Sequence, residues 1–228
     1  MNGLAALEPV ALDGRTGAGV AVWRLSFDLA AELSRSQLDG LDAAERAQAA
    51  RYYRQADRVR FALTRLTLRR LLGERLGRPP AAIQFQAGPH GKPGLAGGEL
   101  PHFNVSHAGG HALIALAESQ PVGIDLERHD ASRSLTGLAG EIFTAAEQRH
   151  CRGGAELAAF YDIWSGKEAV LKAWGVGIGE LLPALTALPL ADGRYALSLH
   201  GADCRATQAW RLPAPAGYSA ALASGERA

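Results

Sequence analysis

Residues 155–174 carry the pattern that most limits how this chain can fold. Phe160, Ile163, Trp164, Val170, Leu171 and Trp174 recur there at the three-to-four-residue spacing of a single helix face. A helix with so broad an apolar side must bury it against a sheet or against other helices. Gly175 is placed to end it. Lys167 interrupts the apolar face, and the expectation is that its stem follows the apolar surface and carries the ammonium to water.

The rest of the chain supplies candidate partners. Val20 to Phe27 alternates and is rich in β-formers, which predicts a strand. Asp42-Ala-Ala-Glu45 has the form of a capping box opening a helix that runs to about Arg54. Asp57 is placed to cap a second helix, stopped by Gly77 and Pro79, with Phe61, Leu68, Leu71 and Leu72 on its apolar face. Residues 79–101 read as loop, with Ile83 to Phe85 as one short strand. His111 to Ala117 and Val122 to Leu126 read as strands on either side of Gln120-Pro121. Arg194 to Leu199, Thr207 to Leu212 and Tyr218 to Ala223 follow as short strands. The order predicts an α+β chain of two similar halves, residues 1–121 and 122–228, although no residue-level repeat relates them.

The length of 228 residues is enough for a sizeable core, and 47% apolar with 21% charged residues is a globular balance. A formal net charge of +1 gives no global field to hold the chain on nucleic acid or an anionic membrane, so any anion site must be local. The two cysteines, Cys151 and Cys204, form no CxxC pair and read as reduced thiols. No apolar run nears the ~18 residues of a membrane span. The start Met-Asn-Gly-Leu-Ala-Ala-Leu-Glu lacks the basic head of a signal peptide. The expectation is a soluble, cytoplasmic protein.

Four stretches offer chemistry. In Val122-Gly-Ile-Asp-Leu-Glu127, Asp125 and Glu127 stand two apart on a strand and share one face. Two carboxylates about 5 Å apart repel by roughly 3 kcal/mol at an effective dielectric near 20. A hard divalent cation would relieve this, and oxygen ligands without cysteine favour Mg2+ over Zn2+. A strand end facing water, paired with Arg128, is the simpler alternative. In Trp164-Ser-Gly-Lys-Glu-Ala-Val-Leu-Lys172, Glu168 and Lys172 are neighbours at i and i+4. They form either a surface ion pair, or a third carboxylate for the cation beside a lysine that balances a reacting phosphate.

Phe103-Asn-Val-Ser-His-Ala-Gly-Gly110, shortly after Gly91-Lys92-Pro93, reads as a short polar loop. Ser106 and His107 would offer donors to a phosphate there, or the segment is a plain turn. Gly109 and Gly110 argue against a helix that would set His107 and His111 on zinc. Arg51, Arg54, Arg58, Arg60, Arg65, Arg69, Arg70 and Arg75 crowd the second helical region. Most should form a solvated face, with one or two available to a phosphate. Gly175-Val-Gly-Ile-Gly179 follows a helix instead of joining a strand to one, so it fails as a nucleotide loop.

Each signal is weak alone, but their order is specific. The series is Phe-Asn-Val-Ser-His at 103–107, Val-Gly-Ile-Asp-Leu-Glu at 122–127, and Trp-Ser-x-Lys-Glu-x-x-x-Lys at 164–172 followed by Gly175-x-Gly177. With Gly-Lys-Pro at 91–93 and Phe143-Thr-x-x-Glu147, it resembles the 4'-phosphopantetheinyl transferase family, in its monomeric surfactin-synthetase-activating (Sfp-type) branch. The match spans about residues 45–180. The resemblance implies a pseudo-twofold α+β fold with coenzyme A, the substrate, in the cleft between the halves. It implies Mg2+ on the pyrophosphate, held by Asp125, Glu127 and Glu168, with Lys172 at the reacting phosphate. Lys92, Ser106 and His107 would hold coenzyme A phosphates, and Arg51 and Arg60 the nucleotide end. Glu147 would be a structural partner. The implied partners are apo acyl or peptidyl carrier proteins, with no nucleic acid or membrane.

In the implied reaction a carrier serine attacks the pantetheine-side phosphorus and 3',5'-ADP departs. Glu168 takes the serine proton, directly or through a water. Three rivals stand beside this reading. A silent coenzyme A- or carrier-binding module would not require the carboxylate set. A metal-dependent phosphoesterase would hydrolyse without an acceptor. An arginine-helix nucleic-acid binder is disfavoured by the balanced charge and the lack of interleaved aromatics.

Overall fold

The computed structural model describes residues 4–12, 14, 19–88, 90–132, 135–152, 156–177, 179 and 181–227, with the side chain of Thr136 left aside. Ala155 and Ile178, expected at a helix start and in a glycine-rich turn, lie outside the described residues. The elements in chain order are β1 (Ala5–Pro9), β2 (Val20–Phe27), α1 (Arg35–Asp39), α2 (Ala43–Arg51), α3 (Gln55–Leu76), β3 (Phe85–Ala87) and β4 (Pro93–Leu95). There follow β5 (His102–Ala108), β6 (His111–Ala117), β7 (Val122–Arg128), α4 (Leu135–Ile142), α5 (Ala145–Cys151) and α6 (Glu156–Trp174). The chain closes with β8 (Leu185–Pro189), β9 (Tyr195–Leu199), β10 (Ala202–Asp203), β11 (Thr207–Arg211) and β12 (Tyr218–Gly225).

Two antiparallel sheets organise these elements, one in the order β1-β2-β6-β5 and one in the order β11-β12-β7. A third sheet, β10-β9-β8, and the β3-β4 hairpin are smaller. The alternation of β6 explains the layering. Ala112, Ile114 and Leu116 meet Leu68, Leu71 and Leu72 of α3 on one face. Leu113, Ala115 and Ala117 join Ile124, Leu126 and Leu222 of the second sheet on the other. Helix α6 packs through Ala169, Val170 and Ala173 against Ala221 and Ala223 of the second sheet and against Leu185 and Ala187 of β8. Each main sheet thus carries one long helix, the pseudo-twofold α+β arrangement.

The capping box at Asp42 is present: Glu45 N–H donates to Asp42 Oδ1, and Asp42 N–H donates to Glu45 Oε2. That helix stops at Arg51, short of the expected Arg54. Asp57 does not cap α3, which begins at Gln55. Asp57 lies in the first turn and pairs with Arg60 at 2.6 Å. Gly77 ends α3 at a φ of +63°.

Further expectations are corrected. Residues 103–108 are not a loop but strand β5, paired to β6 from His102–Ala117 to Ala108–His111. The polar Asn104 and Ser106 hid its alternation, because they face a second polar surface that only the fold creates. The short strand expected at Ile83 to Phe85 lies at Phe85–Ala87. Lys167 does not reach water. Its side chain is 0% exposed, bound to Glu147 Oε2 at 2.7 Å and to the Ile142 carbonyl at 2.8 Å. Among the arginines, Arg69 likewise leaves the solvated face and is buried on Glu45, Asp42 and the carbonyls of Pro80 and Ile83.

Candidate active site

The edges β5 and β7 run side by side between the two main sheets without a backbone ladder between them. Side chains of β5 supply the missing acceptors. Asn104 Oδ1 accepts from Ile124 N–H at 2.8 Å, and Ser106 Oγ accepts from Leu126 N–H at 3.2 Å. These bonds hold β7 so that Ile124 and Leu126 enter the shared core. The alternate residues Gly123, Asp125 and Glu127 face the opposite way.

Helix α6 crosses on that opposite face. A Cβ on Gly123 would stand 2.0 Å from the Ala169 carbonyl and 2.3 Å from Ala173 N, so the helix rests directly on the strand backbone. This close crossing brings Glu168 and Lys172, one turn apart, over Asp125. Lys172 Nζ meets Asp125 Oδ1 at 2.5 Å, and Ser106 Oγ donates to the same oxygen at 2.9 Å. Trp164 Nε1 donates to Glu127 Oε1 at 3.0 Å and orients that carboxylate. Asp125 Oδ2 is buried with no hydrogen-bond partner.

Charge in this corner is lopsided. Glu168 is 3% exposed. Burial first, then Asp125 and Glu127, push its pKa up to about 7 against the pull of Lys172. Burial pulls the Lys172 ammonium down, but Asp125, Glu168 and Glu127 outweigh it and the net shift is upward. The carboxylates open onto a cleft of about 750 Å³ that also takes in Ser106, His107, Tyr52, Phe61, Thr64, Arg65, Gly91 and Pro93. That volume suits a nucleotide-sized ligand. Packing around His107, then the Arg60 and Lys172 cations, hold its imidazole below the ordinary pKa.

The structure therefore gathers Asp125, Glu127, Glu168, Lys172, Ser106 and His107 on one cleft. It does not bring Lys92, Arg51 or Arg60 into the lining. Lys92 Nζ donates to the carbonyls of Val122 and Lys172. Arg51 is exposed at the end of α2. Arg60 is tied to Asp57 and to the Gly109 carbonyl.

Residues 121–223 match the 4'-phosphopantetheinyl transferase superfamily, and residues 31–120 match the N-terminal region of 4'-phosphopantetheinyl transferases. The HetI 4'-phosphopantetheinyl transferase of Nostoc sp. is 34% identical over 169 residues, covering 71% of this chain and 71% of that protein. This chain belongs to the 4'-phosphopantetheinyl transferase family. The slr0495 protein of Synechocystis sp. is 36% identical over 177 residues, 75% of this chain and 70% of its own. The Sfp transferase of Bacillus subtilis is 28% identical over 160 residues, 68% and 69% of the two chains. The transferase is of the Sfp type, and its activity is 4'-phosphopantetheinyl transfer from coenzyme A to carrier proteins.

Two features of the transferase's cleft escaped the sequence reading. One is the orienting bond from Trp164, read there only as an apolar residue. The other is the far end, where Arg65 stands 4.6 Å from the Phe85 ring centroid and 5.9 Å from that of Phe61. Beside it Thr64 Oγ1 is buried without a partner. Arg65 was one of eight arginines between residues 51 and 75, and nothing local distinguished it.

Mg2+ fits this corner by donor chemistry. The facing groups are carboxylate oxygens, Asp125 Oδ2 is unpaired, and burial, then Asp125 and Glu127, push the Glu168 carboxyl up to about 7, a cost to its charged form that a cation would relieve. Among the described residues no three acidic, histidine or cysteine side chains close into a cage by themselves. Mg2+ does not require one, since it keeps waters and is commonly held by one or two carboxylates together with substrate phosphates.

Proposed function

We propose that Asp125, Glu127 and Glu168 hold Mg2+ against the pyrophosphate of coenzyme A, and that Lys172 meets the phosphate under attack. The observation that carries this reading is the convergence of Glu168 and Lys172 of α6 on Asp125 of β7, remote in sequence, at one cleft. The bound ion would neutralise charge on the phosphate oxygens. Ser106 and Lys172 fix the Asp125 carboxylate, and Trp164 fixes Glu127. Lys172 has only to turn from Asp125 to a phosphate oxygen to stabilise the transition state. With the ion bound Glu168 would be ionised, and as a carboxylate it would take the proton of the carrier serine, directly or through a water. The serine oxygen forms the new bond to phosphorus as 3',5'-ADP leaves with the old one.

His107 is available to a coenzyme A phosphate, while Ser106 serves through Asp125 and the β7 backbone. At the far end, the Arg65 cation and the Tyr52 and Phe61 rings suit the charge and the base of 3'-phosphoadenosine. Residues 1–121 and 122–228 form the two halves around this cleft. Both walls come from one chain, which supports action as a monomer. Fatty-acid, polyketide and nonribosomal-peptide carriers are the candidate acceptors.

The test is to mix the protein with apo-carriers, coenzyme A and Mg2+ and follow the phosphopantetheine adduct by mass spectrometry. Asp125→Ala should abolish the adduct while circular dichroism shows an intact fold. Transfer at the wild-type rate by that variant would reject the metal assignment.

A further inference from the structure

We propose that Lys92 is a positioning residue: its ammonium ties the last turn of α6 to the start of β7 and thereby seats the Lys172 side chain opposite Asp125. Lys92 belongs to the turn before β4, closed by Gly88 N–H donating to the Lys92 carbonyl at 2.8 Å. Its neighbours Gly91 and Pro93 line the cleft, but its own side chain turns away. Nζ donates to the carbonyls of Val122 at 2.9 Å, Lys172 at 2.6 Å and Ala173 at 3.5 Å.

An ammonium has three N–H groups, so these carbonyls use its whole donor capacity. Two of them belong to the last turn of a helix. Carbonyls there lack intrahelical partners and form the negative end of the helix dipole, which a cation satisfies. A lysine reaching for a phosphate in the cleft would have to abandon all three bonds.

The tie touches both backbones that carry the reacting-end pair. Val122 lies three residues before Asp125 on β7. Lys172 itself owns one of the clamped carbonyls, and its Nζ is the group on Asp125 Oδ1. Because α6 rests on bare backbone at Gly123, its height over the strand is already set at that point. What remains free is the last turn. Besides Lys92, the Gly175 N–H at 3.2 Å from the Lys172 carbonyl helps to hold it. Lys92 therefore acts on the chemistry through Lys172, without touching coenzyme A. This rests on the reading of Lys172 as the group at the reacting phosphate.

The experiment compares wild type, Lys92→Met and Lys92→Arg, each also in a Lys172→Ala background. Loss of the tie should lower single-turnover transfer roughly 10–100-fold, the scale of a misplacement near 1 Å. Calorimetric affinity for coenzyme A should stay within about twofold, and the same change in the Lys172→Ala background should also cost under about twofold. Lys92→Arg should recover most of the rate. If coenzyme A affinity falls instead with the rate preserved, Lys92 is a direct ligand and the proposal is wrong. An equal rate loss in both backgrounds would make Lys92 a general structural residue and overturn it too.

A readout independent of transfer is the rate at which acetic anhydride labels Lys172, followed by peptide mass. It should rise several-fold in Lys92→Met, and an unchanged rate overturns the proposal even if wild-type protein transfers nothing. Should Lys92→Met not fold, Lys92→Gln keeps two amide donors and should show the same pattern with a smaller loss.

Discussion

Glu168 is buried beside the carboxylates of Asp125 and Glu127, and these outweigh the pull of Lys172, so its proton is held more tightly in the folded chain than in the unfolded one. Its pKa rises from an ordinary 4.5 to about 7, and between these values the native state carries the extra proton. Stability from this group must therefore fall as pH rises through that window. With EDTA present, wild-type Tm should decline from pH 5 to 8 relative to Glu168→Gln, in thermal melts followed by circular dichroism. Parallel curves for the two proteins would contradict it. Arg65 offers a second test at this scale. Losing a charge-assisted contact to a phosphate is worth about 1.5–3 kcal/mol, or roughly 10–100-fold. Arg65→Met should raise KM for coenzyme A by that order while hardly changing KM for dephospho-coenzyme A. Equal effects on both substrates would move the 3'-phosphate elsewhere.

Among the elements, α6 is decisive, because it is packed from three sides and carries half of the reacting groups. Its place depends on the buried pair of Lys167 and Glu147, both 0% exposed. Glu147 also caps α5 with Thr144 and accepts from Ala187 N–H of β8 at 2.7 Å. One carboxylate thus ties α5, α6 and β8 together. Lys167→Met leaves that carboxylate buried and uncompensated, which should cost about 3–5 kcal/mol in urea unfolding. Lys167→Met with Glu147→Gln should recover part of the loss, since the amide oxygen still serves Ala187. A double variant no more stable than the single one would show that the charge is not the cause.

Across the whole molecule, the cleft and the apolar core both cross the boundary between the two sheets. Val22, Leu113 and Ala115 of one sheet share a cluster with Ile124, Leu126 and Leu222 of the other. Unfolding should therefore be a single transition. Coenzyme A at about 100 times its Kd, with Mg2+, should add about 2.7 kcal/mol and shift that one transition upward. Two calorimetric transitions, or a shift confined to part of the melt, would contradict the shared core.

Much of this was already legible in the chain. The period of residues 155–174, the Asp42 capping box, the alternation of Val20 to Phe27, and the two-residue spacing of Asp125 and Glu127 are local patterns. Each is set by backbone geometry over a few residues, so a linear reading recovers them. Strand β5 was misread because its polar side answers to β7, which stands beside it only after folding. Lys167 and Arg69 look like surface cations until their acids arrive, from twenty residues away for Glu147 and twenty-four for Glu45. Lys92 had a motif but no direction, and carbonyls from β7 and α6 supplied it. Sequence by itself determined the elements that carry a clear local period, and which acids and lysine are on hand. Only the tertiary structure decided which of those charges face the cleft and which hold the frame. A charge's role depends on the partners and water left to it, and packing sets both.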